Sequence, residues 1–166
     1  MLATGPQGEA IQKLAVMVAA SSAFQERVRT YGQGELDAAK FVYSPHLDDP
    51  DQTKRPFALI MQGELGYHTV AGGSRNHMRP RGSLRLRLAD NAQQEDDINS
   101  EVDFRNFVDG VLADLAEVSA VDDRLCIVAM TQTQEPSRTH PAHEATVGNA
   151  ARGFWWCEYD VEWDAL

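Results

Sequence analysis

The run Phe154-Trp-Trp-Cys-Glu-Tyr-Asp-Val-Glu-Trp163 is the most informative stretch of the chain. Read at every second residue, it sets Trp155, Cys157, Tyr159, Val161 and Trp163 on one side. Phe154 and Trp156, then Glu158, Asp160, Glu162 and Asp164, fall on the other. Alternation with a period of two is the pattern of a half-buried β-strand, and the aromatic and β-branched content suits strand over helix. One side belongs in a core. The other is a row of carboxylates with no counter-charge in the same strand. An antiparallel sheet with one wet face accounts for such a row by itself.

The 166 residues fit one domain, residues 1–166, with room for a sizeable core. Apolar residues make up 43% and charged residues 24%, a globular balance. The formal charge of −10 argues against nucleic-acid binding over the whole surface. No apolar run is long enough to span a membrane, so no membrane partner is expected, and the first residues lack the basic start of a signal peptide. Cys126 and Cys157 both fall in predicted strands and read as buried free thiols of a reducing compartment.

Upstream of that strand, helical spacing of Ile11, Leu14, Ala15 and Val18 predicts a helix over 8–20. Ser22 is placed to cap a second helix through Val28, and Gly32 and Gly34 end it. A short strand is expected at 41–43. The proline- and aspartate-rich stretch 44–51 is a loop without the glycine and terminal glutamate of a calcium hand. Phe57–Gln62 is apolar on both sides and reads as an interior strand running on towards Leu65.

Residues 66–81 then read as a long loop carrying Arg75, Arg79 and Arg81. In 83–89, Leu84, Leu86 and Leu88 alternate with Arg85 and Arg87, a third strand. Five of the fifteen basic residues thus fall between 75 and 87, which in an acidic chain points to docking on an acidic partner; a solvated loop and strand face is the plainer account. Both apolar strand sides must meet the same helices, so Arg85 and Arg87 should share a face with Glu158, Asp160 and Glu162.

After an acidic linker at 91–99, Ser100-Glu-Val-Asp103 has the form of a capping box. Phe104, Phe107, Val108, Val111, Leu112, Leu115 and Val118 follow as one apolar helical stripe over 101–118, with Gly110 marking close packing. Leu125–Thr131 is apolar on both sides, a central strand or one covered by another subunit. A second long loop, 134–152, contains Arg138, His140 and His143. The two histidines, three apart, lack any supporting zinc pattern.

Glycine-rich phosphate loops, nucleophile elbows and paired-cysteine motifs are all missing. All five histidines fall in predicted loops, and the strand acids lie two residues, roughly 7 Å, apart, which alone makes no catalytic dyad. No catalytic residue, metal site or cofactor is therefore assigned. The chain reads as a binding or assembly module, of α+β class, with a mainly antiparallel sheet of about four strands and helices packed on one face.

The order of these elements resembles that of the small proteins of phage head–tail joining: tail terminators, and minor tail or neck proteins. Ser21-Ser-Ala-Phe-Gln-Glu-Arg-Val28 is similar to the end of their first helix, Arg55-Pro-Phe-Ala-Leu-Ile60 to their first core strand, and Glu158-Tyr-Asp-Val-Glu-Trp163 to their closing strand. The resemblance covers most of residues 8–164 and rests on short motifs. It implies a structural virion protein, not an enzyme, assembled in the host cytoplasm. It implies a ring, commonly a hexamer, that caps the tail tube beside tail-tube and head-connector proteins. DNA would pass through it unbound. Under that implication Glu158, Asp160 and Glu162 line the channel, and Arg75, Arg79, Arg81, Arg138 and His140 are contact residues of the loops. Two other readings compete. One is a small metal-dependent enzyme using His140, His143 and loop acids, for which metal analysis of the purified protein is the test. The other is a monomeric soluble binding domain, which light scattering separates from a ring.

Overall fold

A computed structural model of the chain describes residues 5–43, 56–69, 78–118, 125–139 and 153–165. Its helices are α1 (Pro6–Ala20), α2 (Ser22–Tyr31) and α3 (Asp97–Val118), with a 3-10 turn at Ala38–Phe41. Its strands are β1 (Val42–Tyr43), β2 (Phe57–Thr69), β3 (Met78–Asn91), β4 (Leu125–Thr139) and β5 (Phe154–Ala165). They form one sheet in the order β1-β2-β3-β5-β4, parallel only between β1 and β2. The class is α+β with a mainly antiparallel sheet. The fifth strand is the two-residue β1.

β5 lies between β3 and β4, which explains its aromatic content: it is a central strand with neighbours on both edges. Leu84, Leu86 and Leu88 stand opposite Val161, Tyr159 and Cys157, so their side chains share a face. That face receives Phe104, Phe107, Val108, Val111 and Leu115 of α3 and Leu14, Met17 and Val18 of α1. Gly110 is needed where α3 meets α2, since a β-carbon there would sit 2.9 Å from that of Ala23. Leu112, expected in the core stripe, is only partly buried, while Leu115 is fully buried. Leu115→Ala should therefore cost about 2–5 kcal/mol in urea denaturation, and Leu112→Ala clearly less.

Helix starts differ from expectation in two places. Ser21, not Ser22, caps α2: its hydroxyl accepts from the Phe24 amide at 3.3 Å and donates to Asp114 of α3 at 2.7 Å. The Asp114 carboxylate also accepts from the Ala23 amide at 3.0 Å, and these bonds hold its pKa below the usual range. α3 begins at Asp97, ahead of the expected box, because Asp96 takes the capping role, its carboxylate accepting from the Ile98 amide at 3.4 Å and also from the Asn99 side chain at 2.9 Å. Ser100 is instead buried inside the helix, where its hydroxyl accepts from the Trp155 indole at 2.9 Å. A buried indole N–H needs such an acceptor.

The expected loops are shorter than read. Pairing between β2 and β3 runs from Phe57↔Ala89 out to Thr69↔Met78, so 66–69 and 78–81 are strand. β4 likewise continues to Thr139, claiming 134–139. Nor is β4 central. It is an edge strand, with Val128 51% exposed and three register irregularities against β5, the last spanning Pro136. Bulges and proline are devices that blunt a sheet edge.

Cys157 is buried on β5 behind Leu88, and burial pushes its thiol up to about 12. Cys126 stands opposite Asp164, seven residues further along β5 and roughly 23 Å away at strand rise. The two thiols are free and out of bonding reach.

A charged cluster lies where α2 and α3 meet the end of β3. Arg27 of α2 donates through Nε to Asp90 at 2.5 Å and through its two Nη atoms to Asp103 of α3 at 3.1 and 2.6 Å. Asp90, wholly buried at the end of β3, also accepts from the Asn91 amide and the Gln93 side chain. Burial pushes its carboxyl up to about 6 against the pull of Arg27. Burial works against the Arg27 charge as well, but the bonds to Asp103 and Asp90 outweigh it and hold the guanidinium protonated.

Candidate functional site

The side of the sheet away from the helices is divided along its length. At one end, Phe57, Leu59 and Ala89 are buried in a small second core with Tyr43, Met61, Phe154 and Trp156. The aromatic pair Phe154 and Trp156 at the head of the alternating run thus has apolar company, and the carboxylates begin only beyond it.

Next comes the charged row. Arg87 and Glu158 are opposite one another and ion-paired, with Nη2 and Nε at 2.5 and 2.9 Å from one carboxylate oxygen. The guanidinium lies 4.4 Å from the centre of the Trp156 ring. Arg85 is opposite Asp160, and Ser83 opposite Glu162. The expected shared face of Arg85 and Arg87 with Glu158, Asp160 and Glu162 is therefore present. Among the described residues only Glu158 of those three acids has an ion-pair partner. Cross-strand pairs of this kind contribute roughly 0.2–1 kcal/mol, too little to hold the fold.

Beyond the row, β2 and β3 change course at a bulge. Gly63 and Glu64 together oppose Ser83, whose hydroxyl accepts from the Glu64 amide at 3.0 Å. The strands approach so closely that a β-carbon on Gly63 would lie 2.5 Å from the Ser83 carbonyl. One on Gly82 would lie 2.5 Å from the Glu64 carbonyl and 2.8 Å from the Trp163 ring. Past this point residues 65–69 pair with 78–82, and beyond Arg81, which still faces Asp164 of β5, the pair continues as a two-stranded arm. One face of the arm carries Leu65, Tyr67, Pro80 and Met78; the other carries His68, Arg79 and Arg81. Arg81 and His68 both lean on Asp164, at 3.4 and 3.7 Å.

Between arm and row lies an open groove of about 370 Å³, whose lining includes Glu64, His68, Arg81, Val128, Asp160, Glu162 and Trp163. Trp163 Nε1 and His68 Nδ1 are buried without a hydrogen-bond partner in the structure. No group of three or more His, Cys, Asp or Glu side chains able to hold a metal occurs among the described residues.

Of the expected contact residues, Arg79 and Arg81 are on the arm, as strand and not loop. Arg138 is tied into its own chain, bonded to Asp97 at the start of α3 and 5.8 Å from the centre of the Trp155 ring. Arg75, His140 and His143 lie outside the described residues. The apolar side of the arm was not anticipated. The alternation of Leu65, Tyr67 and Thr69 was its signal, masked by the glycine at 66. No helix among the described residues is long and apolar enough to cross a membrane.

Neither a protein-family model nor a curated protein matches the chain. Several solved structures resemble it; one does so over 95% of both chains, with 9% identity and a TM-score of 0.37, a likeness that carries no argument.

Proposed function

We propose that this chain is a structural subunit of a phage head–tail joint, of the tail terminator or tail-completion kind. It assembles as a ring, commonly of six, that meets the tail tube and the head connector and lets DNA pass unbound. The observation that supports this best is the charged sheet face. Glu158 is neutralised by Arg87; Asp160, opposite Arg85, and Glu162, opposite Ser83, have no ion pair among the described residues and are the acids placed to line a channel. A cationic wall would hold phosphates strongly at physiological salt, whereas an acidic one keeps a sliding duplex off the protein.

The test is the variant Asp160→Lys with Glu162→Lys, made in the phage genome. Glu158 is left in place because it holds Arg87. The subunit should fold and enter particles, with DNA delivery reduced on the order of tenfold or more by added phosphate contacts. Normal infectivity with the variant present in particles removes the channel role. Mass photometry of the purified chain measures the copy number.

A further inference from the structure

The sheet ends differently on its two sides. β4 is blunted along its length by bulges and Pro136. On the other side, β1 covers β2 only at Ala58 and Leu59. From Ile60 to Thr69 no strand lies beyond β2 among the described residues. A strand paired on one side alone turns every second N–H and C=O outward, open to pairing with another chain. Residues 62–67 are all exposed, Leu65 and Tyr67 at 48 and 56%.

The outer half of this edge matches itself. In Glu64-Leu-Gly-Tyr-His68, antiparallel pairing of two copies centred on Gly66 sets Glu64 opposite His68 and Leu65 opposite Tyr67, each twice. By alternation Leu65 and Tyr67 share one face and Glu64 and His68 the other, so both kinds of pair meet on a common side. A shift of one residue sets Leu65 opposite His68 and Gly66 opposite Tyr67, and both matches are lost. The charges agree with the centred register. His68 is 30% exposed and approaches Asp164 of its own chain no closer than 3.7 Å. Arg79 of β3 stands opposite His68, on the same face. Neither Glu64 nor Arg79 has an ion pair among the described residues, so the acid of one copy meets a cationic stretch of the other.

We propose that two copies join through this edge. β2 of one pairs antiparallel with β2 of the other across residues 64–68, about a two-fold axis at Gly66, and the two sheets continue as one. The pairing satisfies the outward backbone groups of both strands and covers Leu65 and Tyr67 with each other. Each copy uses the same surface, so the contact is isologous and closes at two. A cyclic ring needs unlike surfaces at its contacts, so this pairing is additional to the ring reading above and does not depend on it.

The test uses the full chain with Cys126→Ser and Gly66→Cys, oxidised and separated without reductant. A β-carbon at 66 meets nothing nearer than the Arg81 carbonyl at 4.0 Å, so the fold accepts it. Residues directly opposite in an antiparallel pair have α-carbons roughly 4.5–5.5 Å apart, within disulfide reach. A covalent dimer is expected. Thr69→Cys in the same background should stay monomeric, because the register sets the two copies of that position roughly 20 Å apart. In the unaltered background, Glu64→Lys should weaken association on the order of threefold or more by sedimentation velocity, since the pair occurs twice, and adding His68→Glu should restore it. Circular dichroism confirms that each variant is folded. Equal cross-linking at 66 and 69, or a folded double variant that associates no better than Glu64→Lys alone, overturns the register. A chain that stays monomeric at every concentration overturns the contact. Higher oligomers that leave Gly66→Cys unlinked overturn it too, and leave the ring reading standing.

Discussion

Arg27→Met should cost the fold about 3–5 kcal/mol, measured by urea denaturation at neutral pH. The arginine is the one cation between two carboxylates, 2.5 Å from Asp90 and 2.6 Å from Asp103. Asp90 has no exposure to solvent, so removing its partner leaves a buried charge facing only the Asn91 amide and the Gln93 side chain. The loss should depend on pH. With Arg27 present, Asp90 titrates at about 6, above the ordinary 3.8. A carboxyl raised in this way stabilises the fold most below its unfolded pKa, and that contribution disappears as pH rises through about 6. Without the guanidinium the carboxyl rises further. The variant should therefore be least stable at neutral pH and recover part of the loss on acidification, as Asp90 takes up a proton. Asp90→Asn with Arg27→Met should flatten that pH dependence. An Arg27→Met variant within about 0.5 kcal/mol of the parent, the size of an ordinary surface effect, would show that the cluster holds nothing together.

Trp163→Ala should be comparably costly, about 3–5 kcal/mol. The ring is 1% exposed, lies beneath Gly82 at the bulge, and shares an apolar pocket with Leu14, Met17, Leu84 and Val161. Trp163→Phe separates packing from polarity. It keeps an aromatic ring in place and removes an indole N–H that has no partner in the structure, so it should cost clearly less than the alanine. Equal losses from the two would mean that the indole N–H is satisfied in solution. Trp155→Phe should behave in the opposite sense, because that indole donates to Ser100 and its removal strands a buried hydroxyl.

What could be read from the residues and what could not follow a physical division. Alternation in 83–89 and 154–163 was enough to put both strands in one sheet with their charged sides together, because a period of two leaves a strand no freedom about which side is buried, but that β3 and β5 are neighbours came only from the structure. The α3 stripe was legible for the same reason at helical period. Edge position was not legible. Leu125–Thr131 is as apolar as a central strand, and only the bulges and Val128 betray its place. The arm read as loop because glycine and arginine lower strand propensity, while its pairing is set by the partner strand and not by its own residues. Arg27, Asp90 and Asp103 lie on three different elements up to 76 residues apart, so nothing in local spacing brings them together. The charged row was visible, but its partial neutralisation by Arg87 depends on register, which the residues alone left open.

The burial of Cys157 also gives the protein a built-in clock. A thiol on the central strand, raised to about 12, is invisible to alkylating reagents until the sheet around it opens. Cys126, partly exposed on the edge strand, reacts from the closed state. One modification should thus arrive quickly and the second only at the frequency of large-scale opening, so the interval between them, followed by mass spectrometry, reports how often the sheet comes apart under native conditions.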